Sequence, residues 1–395
     1  MDLKAFRRSR LQAAMQELGT QVLVASLPQN ITYVTNGYVS VNQFVLCSTQ
    51  SYVVYHPAEE RLIYVVGHGE IPSILEFDGE DAEIVPYGAF RFSYDKNFSE
   101  LERYSRYEAQ TCGNAVEALR TALQRVVTSN EHIELDVSRM PYQTVCGIRE
   151  VYPEAGVSGN AAFYRARMIK AAEEIEGIAR SAQVAEQGLL DSLRAFRPGD
   201  TEQALERGFQ QSIAKHGAKE IFFVATANER AAYSETRNMP VPIGMNSFIR
   251  FDYGCDLDGY TSDLARTVCI GAPSEKLRRL YDAVWAGTDA AIKAARPGVR
   301  ACELFRIAVE TTRKAGIPDY RRHHVGHCLG LEVYDDPSVT PDNQTVLEEN
   351  MVLNIETPYY ELGWGGVQVE DTIAITKNGA VRLDQTDNHM IVLEF

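Results

Sequence analysis

The sequence predicts a protein of two domains, an N-terminal α/β domain and a C-terminal α+β domain. Three observations support this prediction. The 395 residues exceed the usual size of one domain, which is about 150 residues. The first part alternates helical patterns with short runs of β-branched and aromatic residues, whereas the second combines long amphipathic helices with short apolar runs. We place the boundary so that the domains cover residues 1–164 and 165–395.

Composition and charge exclude several classes of protein. A hydrophobic content of 45% and a charged content of 24% are typical of globular proteins. The formal net charge of −15 disfavours a nucleic-acid partner, because binding phosphates requires clustered lysines and arginines. The sequence has no apolar run of about 18 residues, and its N-terminus lacks the apolar stretch of a signal peptide. We therefore expect a cytoplasmic protein without a membrane partner.

The cysteines do not indicate a disulfide framework. The chain has 7 cysteines, an odd number, and none of them forms a CxxC pair. Cys255 and Cys328 lie close in sequence to the candidate metal ligands described below. A buried free cysteine is more often a small core residue than a ligand, so we interpret both as core residues.

The first domain is predicted to contain one sheet flanked by helices. It begins with an amphipathic helix over residues 3–18, and later helices are predicted from Ser99 to about Val127 and from about Pro141. The predicted strands are QVLVAS, ITYVT, FVLCS, SYVVY, RLIYVV and ELDVS. Its histidines are isolated and no glycine-rich phosphate loop occurs. We therefore expect this domain to be structural.

The second domain repeats a pattern of helix, Arg-Pro-Gly and helix. A long amphipathic helix over residues 165–196 ends at Arg197-Pro198-Gly199, and a second helix spans about residues 201–216. A helix over about residues 274–295 ends at another Arg-Pro-Gly and precedes a helix over about residues 301–315. The repeat suggests two similar halves.

Five candidate metal ligands follow one another in short strand-like segments of the second domain: Asp252, Asp263, His327, Glu356 and Glu370. A single such residue is usually solvated or part of a turn. An ordered set in apolar surroundings is different, because an unpaired buried charge is costly. Two divalent cations held roughly 3.5–4 Å apart would lower the pKa of a bridging water and favour amide cleavage.

A predicted hairpin brings the first two carboxylates together. Asp252 lies in SFIRFDYG and Asp263 in TSDLARTVCI, and Asp258-Gly259 between them is a typical turn sequence. The other three ligands lie in HHVGHCLG, MVLNIETP and GVQVEDTIAIT. Ligands on such rigid elements predict a preorganised metal site.

The ordered motifs FDYG, SDLARTV, HxxxHxxG, IETP and VEDT resemble those of the pita-bread metallopeptidases. This family includes Xaa-Pro aminopeptidase, Xaa-Pro dipeptidase (prolidase), methionyl aminopeptidase and creatinase. RARMIKAAEEIEGI resembles the interdomain helix of the family, and residues 1–164 resemble the creatinase-type N-terminal domain. The resemblance implies a C-terminal pita-bread domain, with an antiparallel sheet covered by helices, and a homodimer.

The same resemblance implies a role for each candidate ligand. Asp252 would bind one metal ion, Asp263 and Glu370 would bridge both ions, and His327 with Glu356 would complete the second. The two ions would be Mn, Co, Zn or Fe. Glu356 would also act as the general base that takes a proton from the bridging water.

Two neighbouring histidines resemble a substrate-side position of the family. His323 stands four residues before the ligand histidine and would act in catalysis, and His324 beside it is the alternative, with a role in substrate binding. For either residue alone, a hydrogen-bonding role in the core is the commoner explanation.

The sequence departs from the Xaa-Pro peptidases at positions near the substrate. Ser234 and Glu235 stand where those enzymes place a histidine, and Tyr334 replaces a second histidine. Gln368 replaces an arginine, as in methionyl aminopeptidase. We predict that Ser234, Glu235 and Gln368 contact the substrate, and that Tyr334 donates a catalytic hydrogen bond.

The leading functional hypothesis is a dinuclear-metal hydrolase of the Xaa-Pro dipeptidase or aminopeptidase type, which cleaves an amide bond of a small peptide through a metal-bridging water. The alternative is a hydrolase or lyase that acts on a small non-peptide metabolite, because the same fold includes creatinase and a dimethylsulfoniopropionate lyase. A non-enzymatic interaction protein is disfavoured, since clustered carboxylates are costly to retain without cations.

Overall fold

The computed structural model describes residues 2–40, 49–128 and 131–395. It divides into two compact units, Met1–Arg167 and Met168–Phe395. The predicted boundary after residue 164 falls inside the last helix of the first unit. Each unit has its own sheet and hydrophobic core.

The first unit contains a mixed sheet of five strands within the described residues, in the order β4-β3-β2-β1-β5. The strands are β1 Val22–Ala25, β2 Tyr52–His56, β3 Arg61–Gly67, β4 Glu83–Tyr87 and β5 Ile133–Leu135. The helices are α1 Leu3–Glu17, α2 Pro28–Thr35, α3 Ile71–Asp78, α4 Leu101–Gln110, α5 Ala115–Gln124, α6 Tyr142–Val151 and α7 Gly159–Arg167. The predicted α/β class of this domain is confirmed.

Two predictions for the first unit are wrong. The segment ITYVT was predicted as a strand, but it forms the end of α2, which begins at Pro28 and ends before the left-handed Asn36. The helix predicted from residue 99 to 127 is two helices, because Asn114 caps the N-terminus of α5 by accepting a hydrogen bond from Glu117 N. The predicted strand FVLCS lies outside the described residues.

The second unit contains a sheet of ten strands in which every pairing except that of β17 with β9 is antiparallel. Its strands are β6 Lys219–Ala227, β7 Phe248–Leu257, β8 Tyr260–Thr261, β9 Leu264–Ile270, β10 Gly326–Cys328, β11 Asp335–Ser338, β12 Val352–Glu356, β15 Glu370–Thr376, β16 Gly379–Arg382 and β17 Ile391–Leu393. A separate hairpin consists of β13 Tyr359–Glu361 and β14 Gly365–Val367.

Two pairs of helices accompany this sheet: α8 Ala172–Ala195, α9 Glu202–Ala214, α10 Glu275–Ala294 and α11 Ala301–Ala315. Buried side chains of α8 and α9 share a core with β6, β7 and β9, and those of α10 and α11 share one with β12 and β15. The predicted antiparallel sheet covered by helices is therefore confirmed.

The two Arg-Pro-Gly turns are built alike. Gly199 follows α8 and Gly298 follows α10, and both have positive φ angles, 105° and 90°. Their backbone N–H groups donate to Ile243 O and Leu347 O at 2.7 and 3.0 Å, respectively. Glycine suits these positions because side chains disfavour positive φ. The helix predicted over residues 165–196, however, is interrupted between α7 and α8.

Candidate metal centre

Strand pairing places the four candidate carboxylates on one face of the large sheet. Asp252 on β7 lies opposite Ala265 on β9, which in turn lies opposite Glu370 at the start of β15. Glu370 lies opposite Glu356 at the end of β12. Asp263 immediately precedes β9, and its carboxylate lies within 4.8 Å of ligand atoms of His327 and Glu370, which places it at the same face. The four carboxylates converge across neighbouring strands.

His327 joins this face from β10. It lies opposite Asn354 on β12, which shares a face with Glu356 two residues later. Thr372 Oγ1 donates to Asn354 Oδ1 at 2.8 Å and fixes that side chain. His327 Nδ1 contacts Cys328 O at 3.0 Å, which directs Nε2 toward Asp263 Oδ2, 3.5 Å away.

The predicted hairpin between the first two aspartates is present. Asp258 and Gly259, which link β7 and β8, have positive φ angles of 55° and 84°. Positive φ at both central residues is the requirement of a type I′ turn, which matches the twist of the flanking strands. Asp256 Oδ1 accepts a hydrogen bond from Gly259 N at 2.9 Å and stabilises the turn. The turn fixes the register that aligns the aspartates.

Burial changes the pKa values of the side chains in this cluster. Burial raises the pKa values of Asp252, Glu356 and Glu370, and it raises the pKa of Asp263 to about 6 although His327 acts in the opposite direction. The charged imidazole of His327 is also disfavoured by burial, but the adjacent Asp263 outweighs this effect and raises its pKa. Without a cation, the carboxylates repel one another and favour their protonated forms.

The residues present fit a divalent metal ion. Ligand atoms of Asp263, His327 and Glu370 all lie within 4.8 Å of one another, and all three side chains are buried. Glu370 Oε1 is buried without a hydrogen-bond partner among the described residues. Carboxylate oxygen and imidazole nitrogen suit Mn, Fe, Co and Zn, and a cation would satisfy the carboxylate oxygen that the protein leaves unpaired.

Gln368 is central to the site. It is buried, and its Nε2 lies 3.2 Å from Asp252 Oδ2 and 3.4 Å from both Glu356 Oε2 and Glu370 Oε2. Its backbone N–H donates to Thr267 Oγ1 at 2.9 Å. The structure therefore places this residue among the ligands, where its amide contacts three carboxylates.

The two neighbouring histidines occupy different environments. His324 is partly buried, and its Nδ1 lies 3.3 Å from Glu356 Oε1. His323 is exposed and its ring stands edge-on against that of His324, 4.3 Å between centroids. Arg322 Nη2 also approaches Glu356 Oε1, at 3.4 Å. Burial and the Arg322 charge lower the pKa of His324 to about 3, so its imidazole is neutral near pH 7.

The remaining predicted substrate residues lie at the margin of the site. Tyr334 is 60% exposed, and its ring stacks on that of His327 with centroids 3.9 Å apart. Ser234 and Glu235 are exposed in the segment after β6, where the Ser234 carbonyl accepts from Arg250 Nη2 at 3.3 Å. Tyr334 thus contacts a candidate ligand directly, whereas the segment with Ser234 is connected to the site through Arg250.

Sequence reasoning missed three side chains of the site. Arg250 contacts Asp252 and Gln368, Arg322 contacts Glu356, and Tyr360 donates to Gln368 Oε1 at 3.3 Å. Alternation could have identified Arg250, because it precedes Asp252 by two residues on the same strand. No sequence pattern indicated Tyr360, which reaches the site from the hairpin.

The two cysteines near the ligands are not part of the cluster. Burial raises the pKa of Cys328 to about 12 and also raises the pKa of Cys255. Both therefore remain protonated thiols, whereas a metal requires the thiolate. Cys255 Sγ instead donates to Ser181 O at 3.4 Å. The 6 described cysteines are all free.

Comparison with known families is decisive. The profile of metallopeptidase family M24 matches residues 176–377, about half of the chain, and this range includes all five candidate ligands. The chain belongs to metallopeptidase family M24.

Several curated relatives of this M24 chain are named Xaa-Pro dipeptidase. The Xaa-Pro dipeptidase of Pyrococcus furiosus is 33% identical over 227 residues, which cover 57% of this chain and 65% of the relative. The Xaa-Pro dipeptidase of Lactobacillus helveticus is 33% identical over 263 residues, covering 65% of this chain and 71% of the relative. The first match thus spans just under two thirds of that relative.

Solved structures extend the similarity to both units of the M24 chain. The recombinant prolidase from Thermococcus sibiricus has a TM-score of 0.83 and 22% identity, and the similarity covers 100% of each chain. The predicted fold class, a creatinase-type α/β domain followed by a pita-bread domain, is therefore confirmed. No helix among the described residues is both long and apolar enough to span a membrane.

Proposed function

We propose that this M24 chain is a dinuclear-metal peptidase that hydrolyses the amide bond before proline in small peptides. The observation that carries the proposal is the convergence of five candidate ligands on one face of the sheet. The potential metal-binding atoms of three of them lie within 4.8 Å of one another. Relatives named Xaa-Pro dipeptidase supply the substrate class.

Each ligand has a defined place in the proposed centre. Asp252 would hold one ion, Asp263 and Glu370 both ions, and His327 with Glu356 the second. The ions, of the Mn, Co, Zn or Fe type, would supply Lewis-acid activation of water and of the scissile carbonyl. The clustering of four carboxylates, three of them buried, supports this proposal, because divalent cations would offset the mutual repulsion that otherwise raises their pKa values.

Glu356 is the proposed proton carrier. It is buried, and burial raises the pKa of its carboxyl group, which strengthens it as a proton acceptor. Its Oε1 lies near Arg322 and His324, and its Oε2 near Gln368. Glu356 would take the proton of the attacking water and transfer it to the leaving nitrogen.

Substrate orientation is assigned to side chains around this carboxylate. His324 is the better placed of the two histidines, because it lies beside Glu356 and is neutral near pH 7, so that one ring nitrogen can donate. Tyr334, fixed against His327, would donate its phenolic hydrogen to the developing oxyanion. His323, Ser234 and Glu235 would contact more distant parts of the substrate.

A small non-peptide metabolite is the second candidate substrate. The observation that favours it is Gln368, which fills the space among three ligand carboxylates with a neutral amide in place of the arginine of Xaa-Pro peptidases. We further propose a cytoplasmic homodimer in which residues 1–164 form the creatinase-type domain and residues 165–395 the catalytic domain.

Glu356→Gln tests the proposed mechanism. The amide keeps an oxygen for the metal but cannot carry the proton, so we expect kcat for an Xaa-Pro dipeptide to fall by about 10²–10⁴-fold while most of the metal stays bound. Glu349→Gln, at an exposed position of the preceding segment, is the matched control and should not change kcat. Full activity of Glu356→Gln would contradict the role of Glu356.

A substrate panel separates the two candidate functions. Mn- and Zn-loaded protein is supplied with Xaa-Pro dipeptides, longer Xaa-Pro peptides and small amides, and released proline is measured. Proline release from a dipeptide supports the peptidase. Turnover of a small amide with no proline release from any peptide would favour the metabolite enzyme.

A further inference from the structure

Arg250 donates hydrogen bonds from all three nitrogens of its guanidinium group, close to the candidate metal centre. It is fully buried, with 0% exposure, near the start of β7. Its Nε donates to Ala231 O at 3.1 Å, and its Nη2 donates to Tyr233 O at 2.9 Å and to Ser234 O at 3.3 Å. One half of the guanidinium therefore fixes the backbone of residues 231–234, which carry a predicted substrate-side position.

The other half of the guanidinium reaches the metal centre. Arg250 Nη1 donates to Gln368 Oε1 at 2.9 Å and to Asp252 Oδ2 at 3.2 Å. The ring of Tyr360 lies 5.3 Å from the guanidinium carbon, and its hydroxyl donates to the same Gln368 oxygen at 3.3 Å. Every nitrogen of Arg250 thus has an acceptor, and the acceptors belong to two separate parts of the site.

These contacts determine which way the Gln368 amide faces. An amide has one accepting oxygen and one donating nitrogen. Because Arg250 and Tyr360 both donate to Gln368, the oxygen must face them, and the NH₂ group must face Asp252, Glu356 and Glu370. A carboxylate that binds a metal through one oxygen is oriented by a hydrogen bond to the other, and such partners affect metal affinity.

The geometry points to Arg250 as a positioning residue that acts through Gln368. Arg250 orients the amide, the two N–H donors of the amide face three candidate ligand carboxylates, and the same guanidinium connects this cluster to residues 231–234. Metal binding and the substrate-side segment are thereby coupled through one side chain. The inference rests on the proposed function, since it assumes that these carboxylates bind metal.

Metal affinity is the primary test, because it does not depend on turnover. Mn²⁺ binding is measured by calorimetry, and the visible spectrum of the Co²⁺ protein reports ligand geometry. We expect Arg250→Gln to weaken Mn²⁺ binding by about 10- to 100-fold and to alter the Co²⁺ spectrum. Arg250→Lys should remain defective, because a single ammonium cannot reproduce the planar fork. Arg306→Gln, which removes an exposed guanidinium on α11, is the matched control.

A variant that exchanges the two residues distinguishes loss of the amide's orientation from general disruption of the site. Arg250→Gln/Gln368→Arg retains one guanidinium and one amide in contact, so it should recover most of the Mn²⁺ affinity lost in Arg250→Gln. If Arg250→Gln alters the KM for an Xaa-Pro dipeptide, the exchange variant should not restore it, because a glutamine at residue 250 cannot donate to the three backbone carbonyl groups that Arg250 contacts. If Arg250→Gln does not fold, Gln368→Met provides the same test of metal affinity from the other partner.

The outcomes are distinct. Unchanged Mn²⁺ affinity and Co²⁺ spectrum in Arg250→Gln, or in Gln368→Met if Arg250→Gln does not fold, would overturn the inference, as would an exchange variant that binds Mn²⁺ no better than Arg250→Gln. Failure of the wild-type protein to bind Mn²⁺ or Co²⁺ at all would instead contradict the proposed function.

Discussion

At the scale of single residues, the candidate site was predictable wherever one residue type suffices for the chemistry. The five candidate ligands were identified because an unpaired charge in an apolar segment is costly, so that an ordered set of such residues indicates a binding site. They are Asp252, Asp263, His327, Glu356 and Glu370. The structure places all five on one face of a sheet. Arg322 was missed because an arginine in sequence does not reveal whether its charge is buried, whereas alternation with Asp252 could have identified Arg250.

Tyr334 offers a test of the substrate side of the site. Its ring is fixed against His327, so Tyr334→Phe preserves the stacking and removes only the hydroxyl group. If the hydroxyl stabilises the oxyanion, kcat should fall by about 10²-fold with unchanged Mn²⁺ affinity. Steady-state kinetics on an Xaa-Pro dipeptide measure this effect. An unchanged kcat would remove Tyr334 from the mechanism.

The buried carboxylates also determine how stability depends on pH. In the metal-free folded protein the pKa of Asp263 is about 6, above its ordinary value of 3.8. Between these values the folded state holds a proton that the unfolded state releases, so this group's contribution to stability decreases as pH rises through the window. The raised pKa values of Glu356 and Glu370 act in the same direction.

Metal binding should reverse this dependence, because cations bind the deprotonated ligands. We therefore expect the increase in Tm on adding Mn²⁺ to be larger at pH 7.5 than at pH 5.5. Thermal melting with and without a chelator measures the increase, and Asp263→Asn should reduce the pH dependence. An equal increase at both pH values would contradict a cluster of protonated carboxylates in the metal-free state.

At the scale of elements, the predicted helices after the Arg-Pro-Gly turns of the second unit agree with the structure, whereas two elements predicted for the first unit do not. The helix predicted over about residues 301–315 agrees with α11, which begins shortly after an Arg-Pro-Gly turn and ends before Gly316. The segment ITYVT failed because β-branched residues favour strands only weakly, and burial in α2 outweighs that preference. The break before α5 was marked by Asn114 and Glu117, a capping pattern that was overlooked.

Close packing of α10 against α11 gives a test of the helical layer. A Cβ added at Gly287 would lie 2.0 Å from Thr312 Oγ1 and 2.9 Å from Ala308 O. Gly287→Ala should give a net decrease of about 1–3 kcal/mol in the free energy of unfolding. The steric clash outweighs the roughly 1 kcal/mol by which a helix favours alanine over glycine. Chemical denaturation measures the change.

Gly244→Ala is the control for this substitution, because a Cβ at Gly244 would meet no atom within 4 Å and the residue is exposed. We expect a change within about ±0.5 kcal/mol there. Equal effects of the two substitutions would show that α10 and α11 do not pack as closely as the structure indicates.

At the scale of the whole molecule, the fold and the family follow from the sequence more directly than the substrate does. The fold was expected from the resemblance of the five ordered motifs to a known family, and the repeated Arg-Pro-Gly turns indicated two similar halves. Tyr360, Gln368 and Arg250, by contrast, come together from distant segments of the chain. Their contacts form only when the sheet and the hairpin are assembled.

The proposed function requires that the five candidate ligands bind two divalent ions that are needed to cleave an amide bond. The most direct measurement combines metal analysis of the purified protein with proline release from an Xaa-Pro dipeptide before chelation, after chelation and after addition of Mn²⁺. We expect about two equivalents of metal, loss of proline release on chelation and its recovery with Mn²⁺. Undiminished proline release by metal-free protein would contradict the proposed role of the metal ions.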